Sequence, residues 1–350
     1  MTSQSNAPSL DLWRCLYAAA DRFFKESPWE VLGSEMLFGV EDPATKQIGW
    51  CCVLGGGGME FGLAVYRGPT GFSAWIAMMN RVDHDDLLAL LDSVNLTFDH
   101  SDFLESRDLD VVRALRIGSA YRSAQKWPRF RAYLPARHPW YLQTGEALFL
   151  KAAIEQTLVV SRLAAKNPRV LVAGAPDKFL IRVQSNESGA PEWRTEYRVA
   201  HPRVEPARAP LQIDAAILTN IRAKPVEKRL TIDVELSIMS TPICDSEPPW
   251  HPWLMLVVDA KTDFVFRTDC MPKDADPVIE GSRQLISVLG GLQHRPCTIR
   301  VRQDNLHRYL KKTCADLGIK LQRATSLPAI QKVKDSLRDF MRWDRTILES

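Results

Sequence analysis

Leu230-Thr-Ile-Asp-Val-Glu-Leu-Ser-Ile238 is the stretch on which the reading of the second half of this 350-residue chain turns. Ile232, Val234, Leu236 and Ile238 alternate with Thr231, Asp233, Glu235 and Ser237. That is the pattern of a half-buried β-strand, because successive side chains leave opposite faces of the pleat. Downstream, Trp253 to Val258 is an unbroken apolar run, which predicts a central strand covered on both faces. Asp259-Ala-Lys-Thr-Asp263 turns the chain and Phe264 to Thr268 returns it. Asp276-Pro277 supplies an N-cap and a first-turn proline for a helix reaching Leu289. There follow a strand over Thr298 to Arg302, a helix over Asn305 to Leu317 stopped by Gly318, a strand over Ile319 to Gln322, and a helix from about Leu327 to Trp343. The order βββαβαβα predicts an α/β domain on a mixed five-stranded sheet. Its first three strands are antiparallel and its last two are added through right-handed crossovers.

Working upstream, His201-Pro-Arg-Val-Glu-Pro-Ala-Arg-Ala-Pro210 holds three prolines in ten residues. It reads as a linker between a domain over 10–200 and another over 211–345. Leu12, Leu16, Ala19, Ala20 and Phe23 predict an amphipathic first helix over 10–26. Met36 to Val40, Ile48 to Leu54 and Phe61 to Arg67 predict strands, with Gly55 to Gly58 as a hairpin turn and not a phosphate loop, since no Gly-Lys-Ser or Gly-Lys-Thr follows. Helical spacing returns over 82–91, 109–115 and 144–166, the last with Thr144 as N-cap. Leu171 to Ala173, Phe179 to Val183 and Trp193 to Val199 read as strands. The first half is thus expected to be an α+β domain with a small antiparallel sheet flanked by helices.

Hydrophobic residues make up 45% of the chain and charged residues 25%, the balance of an ordinary globular protein. The longest apolar run is far too short to span a bilayer, and the first residues lack the charged and apolar regions of a signal peptide, so a cytoplasmic protein with no membrane contact is expected. Seven cysteines, with no C-x-x-C spacing, predict neither a disulfide framework nor a zinc site but reduced, mostly buried thiols. No two of the seven histidines stand three or four residues apart, so no helical metal pair can be built.

Net charge is only +3, yet sign is segregated: residues 83–110 carry nine acids against Arg107 alone, whereas residues 111–145 carry seven bases and no acid. Within that basic stretch Arg122, Lys126, Arg129, Arg131 and Arg137 interleave with Tyr121, Trp127, Phe130, Tyr133, Trp140 and Tyr141. Bases for phosphates and rings for stacking are what a single-stranded nucleic acid needs, which makes Arg122, Lys126, Trp127, Arg129, Phe130 and Arg131 candidate contacts. Against this stands a plainer account, in which Trp-Pro and Pro-Trp are packing corners and the preceding acids neutralise the arginines within the domain.

Two resemblances attach to these residues. Trp50-Cys51-Cys52, Phe61-Gly-Leu-Ala-Val-Tyr66, Trp127-Pro128-x-Phe130-Arg131, Pro139-Trp140-x-Leu142 and Pro252-Trp253 leading into Val257-Val258-Asp259-Ala260 resemble a bacterial family of two tandem domains of unknown function. Residues 230–343 are similar in layout to the ribonuclease H-like core of integrases and transposases, in which three carboxylates hold two divalent metals. The resemblance implies catalytic roles for Asp233, in the first strand, and Asp304, after the fourth, with Mg²⁺ or Mn²⁺ as cofactor. The third carboxylate is the difficulty: Asp339 has a suitable spacing, but at about 100° per residue it falls opposite the stripe of Ile330, Val333 and Leu337 and would face water. Leu306 also stands where the family pattern favours glycine, and Asp233 and Glu235 read as solvated sheet residues. The residues therefore favour a non-catalytic binding or scaffolding protein without a cofactor, built on a degenerate ribonuclease H-like domain. The alternatives are a metal-dependent nuclease or phosphoryl-transfer enzyme, and a single-stranded nucleic-acid-binding protein. The first reading predicts that Asp233→Ala and Asp304→Ala leave every measurable property intact.

Overall fold

Ser9 accepts a hydrogen bond from the Leu12 amide and so starts helix α1 (Leu10–Glu26), whose spacing buries Leu16, Ala19, Ala20 and Phe23. The computed structural model describes residues 6–82, 84–117, 126–172, 177–185 and 192–348. They form two units, divided between Val204 and Glu205.

The first unit is built on a mixed seven-stranded sheet: β1 (Phe38–Glu41), β2 (Ile48–Leu54), β3 (Gly62–Arg67), β4 (Ser93–Asp99), β5 (Trp127–Tyr133), β6 (Lys178–Ser185) and β7 (Glu192–Val199) in the order β5-β4-β3-β2-β1-β6-β7. All neighbours are antiparallel except β1 and β6, which run parallel. The sheet is mixed through the parallel β1–β6 contact, and it is larger than the small antiparallel one expected for two reasons. β4 hides its alternation of Val94, Leu96 and Phe98 inside the acidic run, and β5 hides Phe130 and Ala132 among arginines. Helix α2 (Gly68–Met79) was also illegible: it is apolar nearly all round and begins with Gly68, Pro69 and Gly71. At Gly71 a Cβ would lie 2.5 Å from the Tyr66 carbonyl carbon and 2.7 Å from the Asp92 oxygen, so glycine lets this helix close onto the sheet.

The short helix α3 (His84–Leu88) and α4 (Ser106–Leu115) flank β4 in the chain, and α5 (Thr144–Lys166) bridges from β5 to β6. The N-cap of α5 is Gln143, in a capping box with Glu146, and not Thr144, whose hydroxyl instead donates to the Asn6 carbonyl at 3.0 Å. α1 and α5 pack over the main core of Leu63, Val65, Leu96 and Ile154, while Trp50, Cys52, Tyr66 and Phe72 form a second cluster that includes α2. Leu171 ends a 3₁₀ turn, Pro168–Leu171, where a strand was expected; Ala173 lies outside the described residues.

The second unit opens with α6 (Ala215–Ala223), capped by Asp214 and unforeseen in the sequence. Then come β8 (Val226–Ile238), β9 (Trp253–Asp259), β10 (Val265–Cys270), α7 (Pro277–Gly291), β11 (Arg295–Val301), α8 (Asp304–Asp316), β12 (Lys320–Arg323) and α9 (Pro328–Leu348). The sheet order is β10-β9-β8-β11-β12, antiparallel through the first three and parallel through the last two, which is the mixed five-stranded sheet expected. One face buries Ile232, Val234, Leu236, Met255, Val257 and Ile299 together with residues of α6, α7 and α8. The opposite face packs Leu256 and Val258 against Ala329 and Ile330 of α9.

Candidate functional site

Alternation along β8 sends Asp233, Glu235 and Ser237 to the face that α9 covers, so all three are buried rather than solvated. The register sets Arg300 of β11 directly beside Asp233. Its Nε and Nη2 donate to the two carboxylate oxygens at 2.6 and 2.8 Å. This hydrogen-bonded pairing is the chief reason the Arg300 guanidinium is held above its ordinary pKa. Two residues along, Arg302 donates to Glu235 at 3.3 and 3.4 Å, and the buried Lys334 of α9 reaches the same carboxylate at 3.3 Å. A signal for this network was present in the sequence: Arg300 and Arg302 repeat the two-residue spacing of Asp233 and Glu235.

Asp304 opens α8 with an exposed side chain, ion-paired to Arg323 of β12 at 2.8 Å. Asp335 and Asp339 lie on the exposed side of α9. Among the described residues no three of the His, Cys, Asp and Glu side chains gather closely enough to hold a metal ion. The donor set beside Asp233 is likewise unsuited to Mg²⁺ or Mn²⁺, which are bound through oxygens, because both oxygens of this carboxylate already accept from arginine.

The aromatic and basic segment before Tyr141 is placed differently from the interleaved reading. Arg122 lies outside the described residues. Trp127 and Phe130 are buried, Phe130 against Trp13 and Tyr17 of α1 with ring centroids 5.8 and 5.1 Å away, so neither ring is open to a base. Arg131 is 3% exposed; it donates to both oxygens of Asp108 at 2.8 and 2.6 Å, pairs with Glu105 at 3.1 Å and stacks over Tyr141. Arg129 lies 3.6 Å from Asp99 and from Glu105, and Lys126 sits over the Phe61 ring at 5.4 Å. Burial drives the Glu105 carboxyl up, but the Tyr141 hydroxyl, Arg131 and Arg129 outweigh it and leave the group below the usual carboxylate range. Asp99, Glu105 and Asp108 thus face Arg129 and Arg131 from within the unit.

Residues 211–214, α6 and α7 line an open cleft of about 460 Å³ with Leu211, Ile213, Ile217 and Ile286 on its walls and Asn220, Arg283 and Ser287 among its polar groups. Because α6 was not legible in the sequence, neither was this cleft. The seven thiols are free, but only Cys51, Cys52 and Cys314 are buried, fewer than expected. Burial pushes Cys52 and Cys314 up to about 12.

Two family models match the chain. Residues 13–182 match the Domain of unknown function (DUF7309), and residues 217–338 match the Domain of unknown function (DUF6930). No curated protein and no solved structure matches it. The boundary between the two units, after Val204, falls in the interval between the two matches, and the chain is a tandem of these two domains of unknown function.

Proposed function

We propose that the chain is a non-catalytic binding or scaffolding protein whose second unit is a degenerate ribonuclease H-like domain. The fold part of this reading is supported by the strand order, an antiparallel trio with two further strands added in parallel beside β8. The observation that carries the non-catalytic part is the arginine clamp on Asp233. In the enzymes that the sheet resembles, the first-strand carboxylate offers its oxygens to a divalent cation. Here Arg300 holds both oxygens, and Arg302 and Lys334 supply the next carboxylate with two cations of its own. A metal would have to displace a charge-assisted, two-point contact to enter. Seven free thiols go with a reducing, cytoplasmic location, and among the described residues no helix is long and apolar enough to cross a membrane.

The test uses the full chain with labelled DNA and RNA, single- and double-stranded, in Mg²⁺ or Mn²⁺, alongside calorimetric titration of Mn²⁺ into the natural protein and Asp233→Asn. The expected outcome is no cleavage and superimposable titrations. Cleavage lost in both Asp233→Asn and Asp304→Ala would instead establish a metal-dependent nuclease or phosphoryl-transfer enzyme. Oligonucleotide retention without cleavage, with log affinity falling linearly against log salt, would favour the nucleic-acid-binding alternative.

A further inference from the structure

A sheet edge presents unpaired amides and carbonyls, and folded proteins blunt such edges with proline, bulges, lysines or very short strands. Three of the four sheet edges among the described residues are treated that way. β5 carries Pro128, and Trp140 bridges to Ala132 beside it. β10 has a register shift between Val265 and Arg267. β12 spans four residues and begins and ends on a cation, Lys320 and Arg323.

β7 lacks proline, a bulge, lysine and short length; of the usual devices it carries only charge, two glutamates and two arginines alternating in sign, and its Trp193 carbonyl accepts from the Arg182 guanidinium at 3.0 Å. It runs eight residues, Glu-Trp-Arg-Thr-Glu-Tyr-Arg-Val, in unbroken register with β6 from Ser185↔Glu192 to Lys178↔Val199, without proline, glycine or lysine. Among the described residues no strand pairs with its outer side. Arg194 and Arg198 keep 53% and 43% of their side chains exposed, and Tyr197 and Val199 are exposed on the other face of the strand.

We propose that this edge is a dimer interface, in which β7 pairs antiparallel with β7 of a second copy about a two-fold axis at Thr195. The sequence of the strand is its own complement in that register. Glu192 stands opposite Arg198 of the second copy, Trp193 opposite Tyr197, Arg194 opposite Glu196, and Thr195 opposite itself. Opposite charges, aromatic pairs and threonine pairs are the cross-strand combinations that stabilise antiparallel ladders. Alternation gathers all the charges on one face and Trp193, Thr195 and Tyr197 on the other. The neighbouring registers are penalised. A slip of the pairing by two residues sets Glu196 opposite Glu196 and Arg194 opposite Arg198, or Arg194 opposite Arg194 and Glu192 opposite Glu196. A slip by one sets charged residues opposite aromatics and threonine. Within one chain Glu196 already accepts from Arg194 at 2.9 Å and from Arg198, 2.8 Å from its carboxylate, so the second copy continues an alternating row of charge. The result is one continuous sheet made from two seven-stranded ones.

Sedimentation equilibrium and light scattering on the full chain test this. The natural protein is expected at twice its 39.6 kDa, dissociating as salt rises because exposed ion pairs are screened. Arg194→Glu and Glu196→Arg each set like charges opposite one another and should sediment as folded monomers. Mixed in equal amounts, the two variants should recover a dimer, since the introduced glutamate then meets the introduced arginine while the native Arg194 meets the native Glu196. If either reversal fails to fold, Arg194→Gln and Glu196→Gln replace it, each expected to weaken association at least about tenfold, the equivalent of about 1.4 kcal/mol. A natural protein that is monomeric at every concentration overturns the proposal. So does a dimer that survives both reversals, or a mixture of folded variants that stays monomeric.

Discussion

Asp233 is fully buried, and its partner Arg300 keeps 30% of its side chain exposed. Truncating one member of a buried ion pair costs about 3–5 kcal/mol where both are sealed from water, and less where the survivor can rehydrate. Asp233→Ala is therefore expected to lower unfolding stability by about 2 kcal/mol, read as a fall in the urea midpoint. The double change Asp233→Leu with Arg300→Met should cost less than the single one, because it leaves no charge behind. A single substitution with no effect on the midpoint would show that the pair does not stabilise the sheet. Asp304→Ala, which removes an exposed pair, should stay within about 0.5 kcal/mol. Of the two changes expected from sequence to be silent, Asp304→Ala is still expected to be so, whereas the burial of Asp233 leads us to expect a cost there. A period of two reveals which residues share a face, but not that a helix ninety residues onward will cover it.

At the scale of elements, legibility followed amphipathic contrast. α1, α5, β2, β8 and β9 show apolar and polar residues sorted by face or a single apolar run, and the sequence located them within a few residues. β4, β5, α2 and α6 were missed. In the first two, charge masked the alternation; α2 is apolar on nearly every side; α6 is nine residues long and follows a proline-rich segment. The arginine clusters were legible as residues but not as partners, since Arg131 meets Asp108 only once β5 exists. α7 offers a test of local energetics. A Cβ at Gly290 would meet nothing within 4 Å, so Gly290→Ala exchanges a poor helix former for the best one without a clash. It is expected to raise thermal stability by about 0.5–1 kcal/mol, measured by calorimetry. A loss would mean that the glycine serves the cleft wall that it lines.

Across the whole molecule, each apolar cluster among the described residues draws on one unit alone: Leu16 to Leu180 and Leu37 to Val183 in the first, Ile221 to Ile319 and Leu256 to Ile330 in the second. A unit with its own core can fold by itself. Fragments 1–204 and 205–350, produced separately, should each show native secondary structure and a single cooperative melt by circular dichroism; a fragment that is unstructured alone would refute this. The parallel contact of β1 with β6 has a mechanical consequence. Only Gly39 with Ile181 and Val40 with Arg182 are in register there, against six to eight paired residues between β2 and β3 or β6 and β7. That line is a perforation in the sheet: transient opening should run along it, freeing the outer hairpin from a meander that remains whole. Amides of β6 and β7 would then exchange with solvent ahead of those in β3 and β4.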